Sequence, residues 1–404
     1  MNTTAEEGRP LAGIRIIDLT SGTLDFCSRL LADMGACVIK AERPGGDRSR
    51  ATGPFLREPG PGRSLSFLYH NAGKLGITLN LENSLGRNIF LRLLERTDVL
   101  VESFPPGYLA QRDLGIDDLW SANPRLIVVS ITGFGQFGPR KDYISCDIVA
   151  SAFGGQMAVT GSPKTPPLAP FGDQPSYTAA LFGAVGILLA MRKRRQTGLG
   201  EHLDISLQEA AAATLDHVFA RFFSEGIIAR RQGNLHWNRT FCTLPCRNGH
   251  ILVSLSLQWE TLLAWMGSEG MAGDLATEPW RDESYRMGHL DHVTQVLERW
   301  TRTHTKEELF ELGQALQFPW APICTLGDVL QNAQLGARNF FITADDPDAG
   351  APLLYPSLPF RIDGTTHGAP RRAPSPGEHN DLIYRSELGF SEAEMERLAE
   401  RGVI

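Results

Sequence analysis

The sequence predicts an α/β fold, a parallel sheet wrapped in helices followed by a smaller α+β domain. Three observations lead there. Short β-branched runs alternate with helix-length segments through the N-terminal part of the chain, as βαβ units require. The strands read as continuous apolar runs, the mark of strands buried on both faces. From about Arg230 the texture shifts to a hairpin and short amphipathic helices. At 404 residues, 42% hydrophobic and 21% charged, the chain has ordinary globular composition and is long enough for more than one domain.

Gly13–Leu19 is the first strand, and a helical stretch runs from Leu24 to Met34. Cys37–Glu42 is the second strand. A helix over Leu85–Arg96 leads into a third strand, Asp98–Glu102, and Leu126–Ile131 is the fourth. Ligands of such sheets sit beyond the carboxyl ends of the strands, so the loops after Leu19, Glu42 and Glu102 are the places to look. No G-x-G-x-x-G follows the first strand, which argues against a dinucleotide. A long apolar helix spans Tyr177–Arg194, Thr197–Gly200 breaks it, and a strand (Glu201–Ile205) and a helix (Leu207–Phe223) follow. Asn248-Gly249 signals a hairpin, with helices at Trp259–Met266 and Val293–Leu316. Pro356–Pro376, rich in Pro, Gly and Arg, reads as an extended connection. Ser391–Arg401 is a terminal helix with Ser391 as N-cap and Glu394 completing a capping box.

A net charge of -7 without a basic stripe argues against nucleic acid. Arg192–Arg195 reads as compensation of a helix C-terminus. No apolar run reaches the roughly 18 residues of a membrane span. Met1–Glu7 is polar and acidic, unlike a signal peptide. Six scattered cysteines fit buried thiols of a cytoplasmic protein, and Cys242-x-x-x-Cys246 lacks the second pair a zinc site needs, so no metal is expected.

Seven segments occur in an order that resembles the family III CoA-transferases, the CaiB/BaiF family. They are Leu30–Glu42, Asn71–Lys74, Val101–Gly107, Asn123–Ile127, Gly133–Pro139, Gln196–Ser206 and Pro376–His379. The resemblance runs from Pro10 to the C-terminus. It implies an interlaced dimer of ring-linked subunits, each with a Rossmann-like large domain (1–225 and 330–404) and a small α+β domain (226–329). It also implies CoA exchange between an acyl-CoA and a carboxylic acid, with acyl-CoA as substrate and no tightly bound cofactor. A carboxylate attacks the thioester and forms a mixed anhydride.

Pro166–Ala180 resembles the family's active-site segment, where an aspartate stands four residues before the small residue opening the long helix. Counted from Ala180, that position is Ser176. The nearby carboxylate is Asp173, after Gly172. It is either a nucleophile on a shifted loop or a turn-forming carboxylate beside Pro175. A serine hydroxyl is hardly ionised at neutral pH, and its ester is far less reactive than an anhydride. Around the CoA pocket, Asp25-Phe26 stand for the family's Gly-Pro, and the added negative charge is expected to oppose a diphosphate. Ser103 stands for an asparagine, and Gln111, next to Arg112, for an arginine. Arg43 and Lys74 remain as phosphate contacts, so weak CoA binding is expected. Ser145-Cys146-Asp147 lacks the histidine of the family's racemases. Tyr177, Phe134, Phe171 and Trp237 fit an aromatic acid or simply core packing.

Three functions compete. The chain is the degenerate subunit of a heteromeric CoA-transferase, partnered by a paralogue carrying the aspartate, as in benzylsuccinate CoA-transferase. Or it is an autonomous homodimer using Asp173. Or it is a pseudoenzyme scaffold without acyl-CoA chemistry.

Overall fold

The computed structural model describes residues 9–56, 63–255, 257–346, 349, 352–362 and 371–404. Met1–Glu7 and residues 363–370 of the Pro356–Pro376 connection lie outside the described residues. The chain divides into two compact units. One comprises Met1–Gln156, Ala169–Ala220 and Gln334–Ile404; the other comprises Met157–Leu168 and Arg221–Ala333.

The first unit is built on six strands: β1 (Arg15–Leu19), β2 (Cys37–Glu42), β3 (Leu75–Thr78), β4 (Val99–Glu102), β5 (Ile127–Thr132) and β6 (His202–Ser206). Their spatial order is β3-β2-β1-β4-β5-β6 and each neighbouring pair is parallel. This is the doubly wound Rossmann order, with its switch point between β1 and β4. The expected parallel α/β sheet is therefore present. The short β3, which sequence patterning did not reveal, forms one edge. Its N–H groups are met by the C-terminal segment. Gly76 donates to His379 Nδ1 at 3.0 Å, Thr78 donates to Asn380 Oδ1 at 3.0 Å, and Tyr384 Oη donates to the Thr78 carbonyl at 2.7 Å.

Both sheet faces are covered. Ile16 and Ile17 point to opposite sides, yet both are fully buried. Helix α1 (Phe26–Asp33) and the long α5 (Gln174–Thr197) pack with Ile16, Val38, Val101 and Val129 on one face. Helix α3 (Ser84–Leu94) and the C-terminal Ile383, Tyr384 and Val403 pack with Ile17, Ile39, Leu100 and Val128 on the other. Helices α2 (Leu65–Asn71) and α4 (Asp147–Phe153) complete the surroundings of the sheet's carboxyl end. At Gly183 of α5 an added Cβ would lie 2.9 Å from Cys27 Sγ, so only glycine lets α5 approach α1 this closely.

Arg194 shows that the basic run at the end of α5 does more than balance a helix dipole. It is buried, pairs with Asp98 at 2.8 Å, and donates to the Asp98 and Arg125 carbonyls at 3.1 Å. By length and composition α5, with mean hydropathy 1.3, is apolar enough to cross a membrane, but half of that window is buried within the protein. The helix expected over Leu207–Phe223 is two, α6 (Leu207–Ala213) and Asp216–Glu225. Thr214 separates them, its hydroxyl donating to the Ala211 carbonyl at 2.7 Å and tightening the last turn.

In the second unit Phe241–Cys246 and Gly249–Ser254 form an antiparallel hairpin closed by Arg247-Asn248, one position earlier than the expected Asn248-Gly249. Its core gathers Trp259, Trp300 and Trp320 with Cys242, whose thiol is pushed up to about 12 by burial. Among the described residues no three His, Cys, Asp or Glu side chains cluster as metal ligands.

Candidate active site

Two cavities open at the carboxyl ends of the strands on either side of the switch point, in the loops the sequence pointed to. One, of about 660 Å³, lies among Thr20-Ser21 after β1, Glu42–Pro44 after β2, Leu79–Glu82 after β3 and Ser103–Pro105 after β4. The other, of about 580 Å³, takes the other side of Ser103–Pro106 and adds Thr132-Gly133 after β5 and the starts of α4 and α5. Phe134, Phe171 and Tyr177 line neither cavity; the aromatic walls are Phe104, Tyr108 and Tyr143.

Beneath the β1–β2 loops lies a closed network of charge. Asp18 and Asp25 are fully buried, as are Lys40 and Lys74. Lys40 pairs with Asp25 at 2.8 Å and Lys74 with Asp18 at 2.7 Å. Thr20 Oγ1 donates to Asp18, and Asn71 Nδ2 donates to Asp25 at 2.8 Å. Burial alone would push the Asp18 carboxyl up, but Lys74 and Lys40 hold it well below the usual carboxylate range. Burial pushes Lys74 down against the pull of Asp18 and Asp25, while the same carboxylates override burial at Lys40 and raise it.

This network corrects two expectations. Asp25 does not present an extra negative charge to a diphosphate, because its charge is neutralised inside the protein by Lys40. Lys74, expected to face a phosphate, is instead buried and lines neither cavity. Its three N–H donors go to Asp18 Oδ2, the Asp25 carbonyl and Asn71 Oδ1, at 2.7, 2.9 and 2.9 Å. Arg43 does line the larger cavity, exposed, with Nε donating to the Gly46 carbonyl at 3.2 Å. Arg48 joins it there. Arg112, beside Gln111, is tied to Glu82 at 2.8 Å on the rim.

Ser176, Asp173 and Asp147 meet in the second cavity. Helix α5 begins after Gly172, whose φ of +74 is a left-handed conformation glycine adopts freely. Asp173 takes the N-cap position without a side-chain cap, and its Oδ2 accepts from Thr23 Oγ1 at 2.6 Å. Ser176, in the first turn of α5, is 6% exposed, and both its N–H and its hydroxyl donate to Asp147 Oδ1, at 2.9 and 2.7 Å. Asp147, at the first position of α4, is pushed up by burial and by nearby Asp173, against the two bonds from Ser176. Tyr177 turns away from the cavity, its hydroxyl 2.9 Å from His70 Nε2. Burial pushes this histidine down to about 4 and the tyrosine up to about 12.

Residues 11–380 match the family described as CoA-transferase family III. The chain belongs to CoA-transferase family III. It is 32% identical, over 98% of both chains, to succinyl-CoA:(R)-benzylsuccinate CoA-transferase subunit BbsE of Thauera aromatica. It is also 32% identical, over 98% of both chains, to the beta subunit of succinyl-CoA–L-malate CoA-transferase of Chloroflexus aurantiacus. The formyl-CoA:oxalate CoA-transferase of Streptomyces avermitilis is 31% identical, over 98% of this chain and 100% of its own length. A crystal structure of a CAIB/BAIF family protein from Brucella suis superposes with a TM-score of 0.85 at 28% identity, covering 94% of this chain and 99% of that one.

The seven segments thus identified the family correctly, and the fold shows what several of them do. Pro376–His379 seals the sheet edge at β3. Leu30–Glu42 places Lys40 in the charge network, and Asn71–Lys74 supplies two more of its members. Sequence reasoning missed that Asp147 is the partner of Ser176, because the two are 29 positions apart. It also missed Glu102, a buried carboxyl at the end of β4 whose Oε2 accepts the Phe104 N–H at 2.7 Å. The signal was present in the glutamate that ends an otherwise apolar strand.

Proposed function

We propose that this chain is the degenerate subunit of a hetero-oligomeric family III CoA-transferase that moves CoA between an acyl-CoA and a dicarboxylic acid. A paralogous subunit supplies the attacking aspartate. The observation that carries this reading is the Ser176 hydroxyl at the head of α5, held by Asp147 where the family's resemblance places the nucleophile. An ester at Ser176 would lack the reactivity of the mixed anhydride on which the second half of the exchange depends. Two of the relatives above are named as subunits, and the relatives' names pair succinyl-CoA or formyl-CoA with dicarboxylic acids.

The outer face of α5 supports a partner. Leu181, Phe182, Val185, Leu188 and Leu189 recur at helical spacing and are exposed. Such a stripe is costly in water and marks a surface that another subunit covers. Interlaced packing, with the stripe at the centre of an obligate interface, is the assembly we propose.

A second reading keeps the chain autonomous, because Asp173 lines the same cavity as Ser176. Turnover separates the two. The purified chain, assayed with succinyl-CoA and a panel of dicarboxylates, is expected to transfer CoA feebly or not at all. Robust turnover abolished by Asp173→Asn would establish the autonomous enzyme instead.

Weak CoA binding remains the expectation, now for a different reason. Lys74 is committed to the interior, leaving Arg43 and Arg48 facing a cavity that also holds Glu42, Asp47 and Glu82. Calorimetry with free CoA is expected to show an affinity weaker than micromolar. A micromolar affinity lost on Arg43→Ala would contradict this and return the chain to the ranks of CoA-binding subunits.

A further inference from the structure

We infer that Glu102 is a positioning residue whose carboxylate fixes the Ser103-Phe104-Pro105 loop, the wall shared by the two cavities. These three residues line both the 660 and the 580 Å³ cavity. The loop leaves β4 directly after Glu102, and its Phe104 N–H turns back onto Glu102 Oε2 at 2.7 Å. A loop held at its second residue by a buried, 4% exposed side chain has its course set by that contact.

The surroundings make the contact sensitive to protonation. The register places Glu102 beside Leu19 of β1 and Ser130 of β5, with Ser130 beside Asp204 of β6. Ser130 Oγ lies 3.0 Å from His202 Nε2, and its side chain, next to Glu102 in the register, favours the ionised form of that carboxyl. Asp204 is committed to the Gln136 N–H, which bonds both its oxygens at 2.9 Å. The titratable groups facing Glu102 are thus Asp204 and His202 of β6. Burial pushes Glu102 up to about 7, Asp204 adds to the rise, and the Ser130 and Phe104 bonds oppose it. Burial lowers His202, which keeps it neutral near that pH.

Two hydrogen-bond patterns follow. With Glu102 ionised, the Phe104 N–H meets a carboxylate, Ser130 donates to Glu102 and accepts from His202. With Glu102 protonated, its O–H donates to Ser130, Ser130 donates to His202, and Phe104 keeps only a neutral acceptor. The loop is held more firmly in the ionised state. This inference concerns a wall of the site and does not depend on which chain carries the nucleophile.

Hydrogen exchange at the Phe104 amide tests it without any turnover. In the purified chain, protection corrected for intrinsic exchange is expected to rise about tenfold between pH 6 and pH 8. In Glu102→Gln it should be low and independent of pH. Ser130→Ala removes a bond favouring the ionised form and should move the midpoint up. Asp204→Asn removes the facing charge and should move it down. Protection that does not change with pH in the unsubstituted protein overturns the proposal, as do midpoints that the Ser130 and Asp204 substitutions leave in place.

Discussion

Replacing Lys74 with methionine is expected to destabilise the protein by about 3–5 kcal/mol, the cost of stranding a buried charge. Asp18 would keep two donors from Thr20 and one from Ser28 but lose the ammonium 2.7 Å away. Lys40 would then face two buried carboxylates alone. Urea unfolding at neutral pH measures the loss as a fall in midpoint. Asp18→Asn combined with Lys74→Met removes both members, and the double variant should recover much of the loss, since a missing pair is tolerated better than half of one. The pH dependence has a definite sign. The folded-state Asp18 carboxyl is held below its ordinary value, so its contribution is present above that value and fades as pH falls through the acid range. In Lys74→Met burial dominates and Asp18 protonates earlier, so the gap between the two proteins should narrow toward acid pH. A loss under about 1 kcal/mol, the size of a surface pair, would show that the network does not hold the β1–β2 floor.

The sheet was legible because its strands are almost purely apolar, and the exceptions carry information. Asp18 lies within Ile-Ile-Asp-Leu and Lys40 within Val-Ile-Lys-Ala, and the two occupy paired positions on β1 and β2. Opposite charges in register inside a buried parallel sheet announce internal charge pairing, although each finds its partner off the sheet, Lys40 in Asp25 and Asp18 in Lys74. Asp25 was harder to read. Sequence places it in a ligand-facing loop, and only the fold turns it inward onto Lys40. Strand β3 escaped because four residues with a glycine carry too little pattern, and because its stability comes from His379 and Asn380, about 300 positions away. Ser176 was found by counting back from Ala180, but its partner Asp147 lies on another helix, and no local spacing encodes that meeting. The break at Thr214 was lost because the alanine run before it and the segment Asp216–Glu225 after it both carry a helical pattern.

Co-expression with a paralogue that carries the aspartate is expected to yield a salt-resistant hetero-oligomer with activity that neither chain shows alone. The interface should bury well above roughly 2,000 Å², the scale of permanent complexes, with the Leu181–Leu189 stripe of α5 inside it. In that complex an Asp→Ala change at the partner's nucleophile should lower turnover by at least about 10³-fold, since the anhydride can no longer form. Asp173→Ala in this chain should leave turnover within about twofold, because in the proposed division of labour the partner carries the nucleophile and the exposed Asp173 carboxylate only accepts from Thr23. Ser176→Asp is the converse change. It places a carboxylate at the head of α5, next to Asp147, where two like charges within hydrogen-bonding reach favour sharing a proton. The new carboxylate would therefore be ionised only in part, and some single-chain transfer should appear, rising with pH as the shared proton is lost. That gain should vanish with Ser176→Asn, which matches the shape without the nucleophile. If Asp173→Ala silences the assembled complex while assembly is preserved, catalysis lies on this subunit and the division of labour between the two chains is wrong.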